Sequence, residues 1–526
     1  MVFKTGQKAM YVGDYLGRRA LYTPDHQAVV DAGKTPHRAF TYSELNARAN
    51  RLANYLQNGA GLVKGDRVAI LAHNGVEFLD TFFACGKVGA IMVGLNWRLH
   101  WRELVDLIER TQPRVLIYSD EFKSAVSQIT AETGVIEHLL HIEGDGIPGS
   151  RYFEKTLNDS VPVPVVNESV TEEDIACLIF TGGTSGMPKG AQISHRMIAW
   201  NTLNTIIHDL QHGDITVNTF PLFHTGGLLV YTTPLLILGG TVVLVRKFDP
   251  EQVLKLLEDY AATVYAGVPT TYQMMTSAQG WADADLSNLR FCTSGGAPLP
   301  VPLVEQFLRE KGVVFKQGFG MSEFGPGVFA LAPEDSIRKA GSIGRPNFFV
   351  DARIVDAENQ PLPPGQIGEL VLRGPSRCSG YFNDPAASAA AVDADGWFHT
   401  GDLAMMDEQQ YYTIVDRKKD MFISGGENIY PTEIEHVIYK HPAVEMCAVI
   451  GIPDSKWGEI GKAFVVVRSG YTLSEDELRA HMQHHLAGYK VPRHIEFRAE
   501  LPISAAGKIL KRTLLGESEN QAERQI

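Results

Sequence analysis

Apolar and polar positions change period along the chain, and the changes mark its elements. Leu45, Ala49, Leu52, Ala53 and Leu56 recur at helical spacing, with Ser43 as the expected N-cap and Gly59 as the stop. Apolar runs at 67–72, 90–93 and 114–118 read as buried strands, separated by helices at 76–87 and 101–109. This alternation predicts a mostly parallel sheet wrapped by helices. A proline-bearing connector spans 159–171, and strand 175–180 follows it. Helix 197–210, strands 219–223 and 241–245, helix 250–260, and strands at 263–267, 289–294 and 313–317 continue the pattern. The uncharged stretch 228–245 is divided by Pro234 and by Gly239 and Gly240, so it reads as a buried helix, a turn and a core strand, not a membrane span.

The texture changes near residue 341. Short strands at 351–355, 368–373 and 411–415 suggest an antiparallel or barrel-like section. The charged run Asp416-Arg417-Lys418-Lys419-Asp420 forms a boundary. Beyond it lie helix 431–440, strands 443–450 and 463–467, and helix 474–485, a small α+β unit; the polar tail from 516 is expected to fray. The fold class is therefore α/β. A large N-terminal domain, 1–418, has doubly wound sheets and the barrel-like section, and a smaller C-terminal domain covers 419–526.

Composition narrows the function. A chain of 526 residues needs more than one core. The net charge of −13 argues against a general nucleic-acid binder. Five cysteines without a C-x-x-C pair imply neither a disulfide framework nor a zinc site, which suits a reducing cytoplasm. The first ten residues show no signal-peptide pattern.

The chemistry gathers where strand 175–180 runs into Thr181-Gly182-Gly183-Thr184-Ser185-Gly186-Met187-Pro188-Lys189-Gly190. Glycines let several backbone N–H groups face one anion, hydroxyls add donors, and Lys189 adds a positive charge. That composition suits nucleotide phosphates, although Met187 after Gly186 breaks the Walker spacing and sets aside a P-loop phosphotransferase. Strands ending at Gly267, at Gly295-Gly296-Ala297 and at Gly318-Phe319-Gly320-Met321-Ser322-Glu323 lie where open α/β sheets bind ligands.

Taken in order, these motifs resemble the adenylate-forming superfamily, which contains acyl-CoA synthetases, luciferases and peptide-synthetase adenylation domains. The resemblance runs from about 41 to 515 and rests on the phosphate loop, Phe223-His224, 318–323, Gly368-Glu369-Leu370, Gly380-Tyr381, Thr400-Gly401-Asp402, Asp416-Arg417, Gly425-Gly426-Glu427-Asn428-Ile429 and 502–508. One departure is Gly182, where the family loop carries serine; a lost neutral hydrogen bond there costs about 1 kcal/mol.

The resemblance implies that a carboxylate attacks the α-phosphate of ATP, giving an acyl-adenylate and pyrophosphate, and that coenzyme A then displaces AMP. It implies that Thr181, Thr184, Ser185 and Lys189 hold the β- and γ-phosphates with Gly182, Gly183 and Gly186, and that Glu323 beside Ser322 is the Mg²⁺ carboxylate. Asp402 would accept from the ribose hydroxyls with help from Arg417, Phe319 would lie on adenine, and Gly295, Gly296, Ala297, Gly318, Gly320 and Met321 would border nucleotide and acyl group. Lys508 would bridge the carboxylate and ATP. Lys419 would be the hinge of a mobile C-terminal domain. Gly425 and Gly426, with His224, Gly226, Gly295 and Gly320, would line the acyl and pantetheine path. His224 is grouped with the catalytic residues Lys508 and Glu323, as a pocket-wall group and not as a base.

Amino-acid-activating relatives tend to carry Asp at the His224 position, so a simple carboxylic acid is expected: a fatty acid first, an aromatic acid second. A carrier-protein acceptor and a non-catalytic nucleotide- or acyl-binding regulator are the alternatives. The expected partners are the acid and coenzyme A, with no nucleic acid and no transmembrane segment, and a homodimer is left open.

Overall fold

The structure, a computed structural model, describes residues 12–181, 188–424, 427–454, 456–503 and 509–523, with side chains to residue 518. The chain forms two compact units: Met1–Asp351 with Arg373–Gly396, and Ala352–Leu372 with Trp397–Ile526. Among the described residues no helix is long and apolar enough to cross a membrane.

The first unit holds two sheets. In the seven-stranded sheet, Arg67–Leu71 lies between Ile91–Gly94 and Val115–Tyr118, all parallel. Ile175–Thr181 and its antiparallel partner Lys189–Ser194 close one edge. The nine-stranded sheet carries Ile215–Asn218, Thr241–Leu244, Val264–Gly267, Phe291–Ser294 and Phe315–Met321 in a parallel run, and Gly325–Leu331 turns back antiparallel beside Phe315–Met321. In the seven-stranded sheet the strands Ile91–Gly94 and Val115–Tyr118 are buried and carry no charged residue, as strands covered on both faces do. The helix Val76–Val88 is buried along its whole length. Its charges are therefore paired: Asp80 with Arg48 at 2.7 Å and Lys87 with Asp14 at 2.5 Å.

Several boundaries differ from expectation for local reasons. Thr41, not Ser43, caps the helix Tyr42–Asn54, because Glu44 N donates to Thr41 Oγ1 at 3.2 Å while Glu44 Oε2 accepts from Thr41 N at 2.8 Å. The strand expected at 219–223 lies at Ile215–Asn218. Asn218 Oδ1 accepts from Phe220 N at 3.0 Å and turns the chain, and Pro221 has no N–H for a ladder. The helix expected within 228–245 is two short ones, Thr225–Leu229 and Thr232–Leu238, before the strand Thr241–Leu244.

Ser194 caps the helix His195–Ile207, which begins with a buried histidine. The His195 ring lies 6.1 Å from that of Tyr15, and its Nδ1 has no hydrogen-bond partner among the described residues. Burial holds its imidazole down at about 4. The folded value lies below the unfolded one, so stability is present above pH 6.5 and lost as pH falls toward 4. Between pH 7 and pH 4.5 the wild type is expected to lose about 2–3 kcal/mol more than His195→Asn, read from urea unfolding at both pH values. Equal losses in the two proteins would refute this.

In the second unit, Asp351–Val355, Ile367–Arg373, Phe398–Met406 and Tyr412–Arg417 form a four-stranded sheet. A five-stranded sheet follows, built on the antiparallel pair Val444–Asp454 and Gly458–Val467. Its alternation is a two-sided core: Cys447, Val449, Ala463 and Val465 pack with helices Pro431–Tyr439 and Glu475–His485, while Ala448, Ile450, Phe464 and Val466 pack with Leu514. Leu514 belongs to the helix Lys511–Glu523, so the tail expected to fray from 516 is helical to Glu523. Cys85, Cys177, Cys292, Cys378 and Cys447 are all buried and unpaired, and burial raises each thiol pKa.

Candidate active site

The loop between Ile175–Thr181 and Lys189–Ser194 leaves and re-enters one antiparallel pair, in which Thr181 stands opposite Lys189. Thr181 Oγ1 donates to the Lys189 carbonyl at 3.4 Å. Gly182, Gly183, Thr184, Ser185 and Gly186 lie outside the described residues.

The segment around Tyr381 joins the Lys189–Ser194 edge: Gln192 N donates to Gly380 O at 2.9 Å, and Phe382 N to Gly190 O at 2.8 Å. This brings the Lys189 ammonium 5.0 Å from the centre of the Tyr381 ring. The Tyr381 hydroxyl donates to Glu323 Oε1 at 3.0 Å. Burial and the Glu323 carboxylate raise the phenol's pKa, so it remains a donor. A cation, a phenol and a buried carboxylate thus converge from three separate segments.

Glu323 sits in the turn between Phe315–Met321 and Gly325–Leu331, and its carbonyl accepts from Cys378 N at 2.7 Å. A Cβ on Gly320 would overlap the Pro326 backbone, so this hairpin closes only with glycine there. Phe319 is half-buried, 5.8 Å from the Phe329 ring; Met321 and Ser322 are also half-buried. Gln317 Nε2 bridges the neighbouring loops, donating to Ala297 O at 3.2 Å and Gly318 O at 3.3 Å. Gly295 faces the Gly318 carbonyl, and Gly296 has φ +79°, which favours glycine. Gly295 and Ala297 therefore lie beside Gln317 and Gly318, where the parallel pairing of two strands of the sheet ends.

His224 precedes the helix Thr225–Leu229, with its ring 4.7 Å from that of Phe223. Buried Asn201 holds this helix to Gly325–Leu331, donating to Leu229 O at 2.8 Å and accepting from Gly327 N at 3.2 Å. Gly226 has room, since an added Cβ would lie 3.8 Å from the Phe220 ring.

In the second unit, Asp402 and Arg417 stand opposite each other, with Arg417 Nε 2.5 Å from Asp402 Oδ1. Asp402 is buried and Arg417 exposed, so the pair offers one sheltered carboxylate at a surface. Lys419 is exposed in the turn after Tyr412–Arg417. Gly425, Gly426 and Lys508 lie outside the described residues. The 504–508 segment is flanked by the paired Ile503 and Ile509, and by Leu510 N donating to Pro502 O at 2.8 Å.

Tyr381 and Gln317 are the additions that sequence reasoning missed as site residues. Tyr381 stood in a quoted motif, but its link to Glu323 crosses 58 positions and has no local signal. The donor set fits Mg²⁺: the Glu323 carboxylate would offer a hard oxygen ligand next in sequence to the Ser322 hydroxyl, and no group of three or more His, Cys, Asp or Glu side chains among the described residues could hold a metal. A magnesium ion that keeps phosphate and water ligands needs no such cage.

A family model described as AMP-binding enzyme matches residues 16–382, and one described as AMP-binding enzyme C-terminal domain matches 433–508. A feruloyl-CoA synthase of Amycolatopsis sp is 42% identical over 501 residues, 95% of this chain and 97% of that protein. An indoleacetate–CoA ligase of Aromatoleum aromaticum is 38% identical, covering 93% and 96%. A long-chain-fatty-acid–CoA ligase of Bacillus subtilis is 35% identical, covering 94% and 92%. Among solved structures, ATP-bound MatB from Rhodopseudomonas palustris superposes with a TM-score of 0.87 at 30% identity, over 96% of this chain and 98% of that one. The anthranilate CoA ligase AuaEII in complex with anthranoyl-AMP gives 0.88 at 28% identity, over 98% of each chain.

Proposed function

The chain belongs to the AMP-binding enzyme family as an AMP-forming acyl-CoA ligase, and from that premise we propose that it activates an aromatic carboxylic acid. A carboxylate oxygen attacks the α-phosphorus of ATP and pyrophosphate leaves. The thiolate of coenzyme A then attacks the acyl carbon and AMP leaves. The observation that carries this reading is the convergence of Lys189, Tyr381 and Glu323, which sets a cation and a hard carboxylate on either side of one phenol. An anionic acid attacking an anionic triphosphate needs such charge held in place beforehand.

In this reading Thr181, Thr184, Ser185 and Lys189 hold the β- and γ-phosphates. Glu323, with Ser322 beside it in sequence, would hold Mg²⁺, which would supply charge neutralisation on the phosphates. Phe319 lies on adenine, while Asp402 and Arg417 take the ribose. Lys508 orients the carboxylate against ATP. The proposed domain boundary, between 418 and 419, lies inside the second compact unit, after the strand Tyr412–Arg417; there Lys419 would be the hinge on which the C-terminal domain turns, and Gly425 and Gly426 would then admit the pantetheine arm. Buried, unpaired cysteines favour a reducing compartment, the cytoplasm.

The sequence alone ranks a fatty acid ahead of an aromatic one. The names of the feruloyl and indoleacetate relatives favour the reverse order, because both acids present a ring. The fatty-acid relative keeps the straight-chain reading as the second one.

The test is pyrophosphate release with ATP and Mg²⁺ across aromatic and straight-chain acids, each with and without coenzyme A. Sustained turnover is expected only with an aromatic acid and coenzyme A together. Turnover confined to straight-chain acids overturns the substrate class; acid-dependent release with no need for coenzyme A overturns the acceptor.

A further inference from the structure

Thr293 lies on the strand Phe291–Ser294, inside the nine-stranded sheet between Val264–Gly267 and Phe315–Met321. Phe291, Cys292 and Ser294 are buried, yet Thr293 is partly exposed. A partly open residue on a central strand marks a cleft. The cleft has a bare wall: a Cβ on Gly318 would sit 3.5 Å from Thr293 Cγ2, and Gly318 has none.

The Thr293 hydroxyl meets the Tyr231 hydroxyl at 2.6 Å. Tyr231 is 7% exposed and reaches this point from between the helices Thr225–Leu229 and Thr232–Leu238. Burial raises the phenol's pKa, so it keeps its proton. Two hydroxyls carry two protons, and their mutual bond uses one. Neither oxygen makes another hydrogen bond among the described residues, so one proton of the pair has no acceptor among them. The Thr293 main chain is fixed, because its carbonyl accepts from the Tyr272 hydroxyl at 2.7 Å.

Position gives this proton a use. Thr293 is two residues before Gly295, about 6–7 Å back along the strand from the glycine loop. That is the depth of one aromatic ring below the place proposed for the acyl group.

We propose that the Tyr231–Thr293 hydroxyl pair is a specificity determinant that donates a hydrogen bond to an oxygen substituent, hydroxyl or methoxy, on the ring of the acid at the end distant from its carboxylate. This rests on the aromatic-acid reading of the same site. A pocket wall that ends in an unused donor rejects an acid lacking the acceptor more strongly than an apolar wall rejects an extra oxygen.

The experiment compares pyrophosphate release with cinnamic acid and 4-hydroxycinnamic acid, in the wild type and in the double variant Tyr231→Phe/Thr293→Val. Removing both hydroxyls leaves no orphaned partner, so the fold should tolerate the change. The wild type is expected to favour 4-hydroxycinnamic acid by about 10-fold or more in kcat/KM, and the double variant to bring the ratio to about 1 while its rate on cinnamic acid holds. Equal use of the two acids by the wild type overturns the inference even if the variant does not fold, and leaves the aromatic reading standing. So does a double variant that loses both acids in the same proportion. Activation of straight-chain acids but neither aromatic one overturns the aromatic reading and this inference with it.

Discussion

Lys508→Ala is expected to lower acid-dependent pyrophosphate release by about 10²–10³-fold, the scale for removing one donor aimed at developing charge. Coenzyme A thioester formation from a supplied acyl-adenylate should stay near wild type, because that step begins after pyrophosphate has left. Described residues bracket this lysine on both sides. Ile503 and Ile509 pair across the 504–508 segment. Immediately after it, Lys511 forms an ion pair with Glu435 of the helix Pro431–Tyr439 at 2.8 Å. Ile503 is therefore tied to Ile509, and Lys511 to a C-terminal helix, and an alanine at 508 replaces none of these residues. Rapid-quench measurement of each half-reaction checks this, and equal damage to both would remove Lys508 from the adenylation step.

Glu323→Gln should be nearly as severe, by a different route. A glutamine carbonyl can still accept from the Tyr381 hydroxyl, so the link between the Phe315–Met321 hairpin and the Lys189 edge survives. Only the negative charge is lost. Adenylation is expected to fall about 10²-fold, with a higher Mg²⁺ concentration needed for half-maximal rate. The melting temperature should stay close to that of the wild type, and thioester formation from the supplied adenylate should be spared. An unchanged Mg²⁺ dependence would assign Glu323 to holding Tyr381 alone.

What was legible in the sequence follows from what each element depends on. The strands Arg67–Leu71, Ile91–Gly94 and Val115–Tyr118 were readable because helices bury both faces, leaving continuous apolar runs. The site loops were readable because backbone close to an anion or to another strand demands glycine, as at Gly320. The misplaced strand at 219–223 shows the limit. Its composition is apolar, but a hydrogen bond from Phe220 N to the Asn218 side chain ends the ladder. Tyr381 and Gln317 escaped for a related reason: each matters through a partner supplied by the tertiary fold. The order of substrate classes was least legible, since pocket-wall glycines leave room for a chain or a ring alike.

The burial of the five cysteines has a practical consequence at the bench. Even Cys378, pushed up only to about 11, holds almost no thiolate at neutral pH, and thiolate is the reactive form. In a mixture with coenzyme A, a disulfide dye will react almost entirely with the substrate's thiol. When the dye is added to samples taken after reaction, each thioester bond made removes one thiol and lowers the colour developed, and alkylation of the folded chain should leave the catalyst's titre intact.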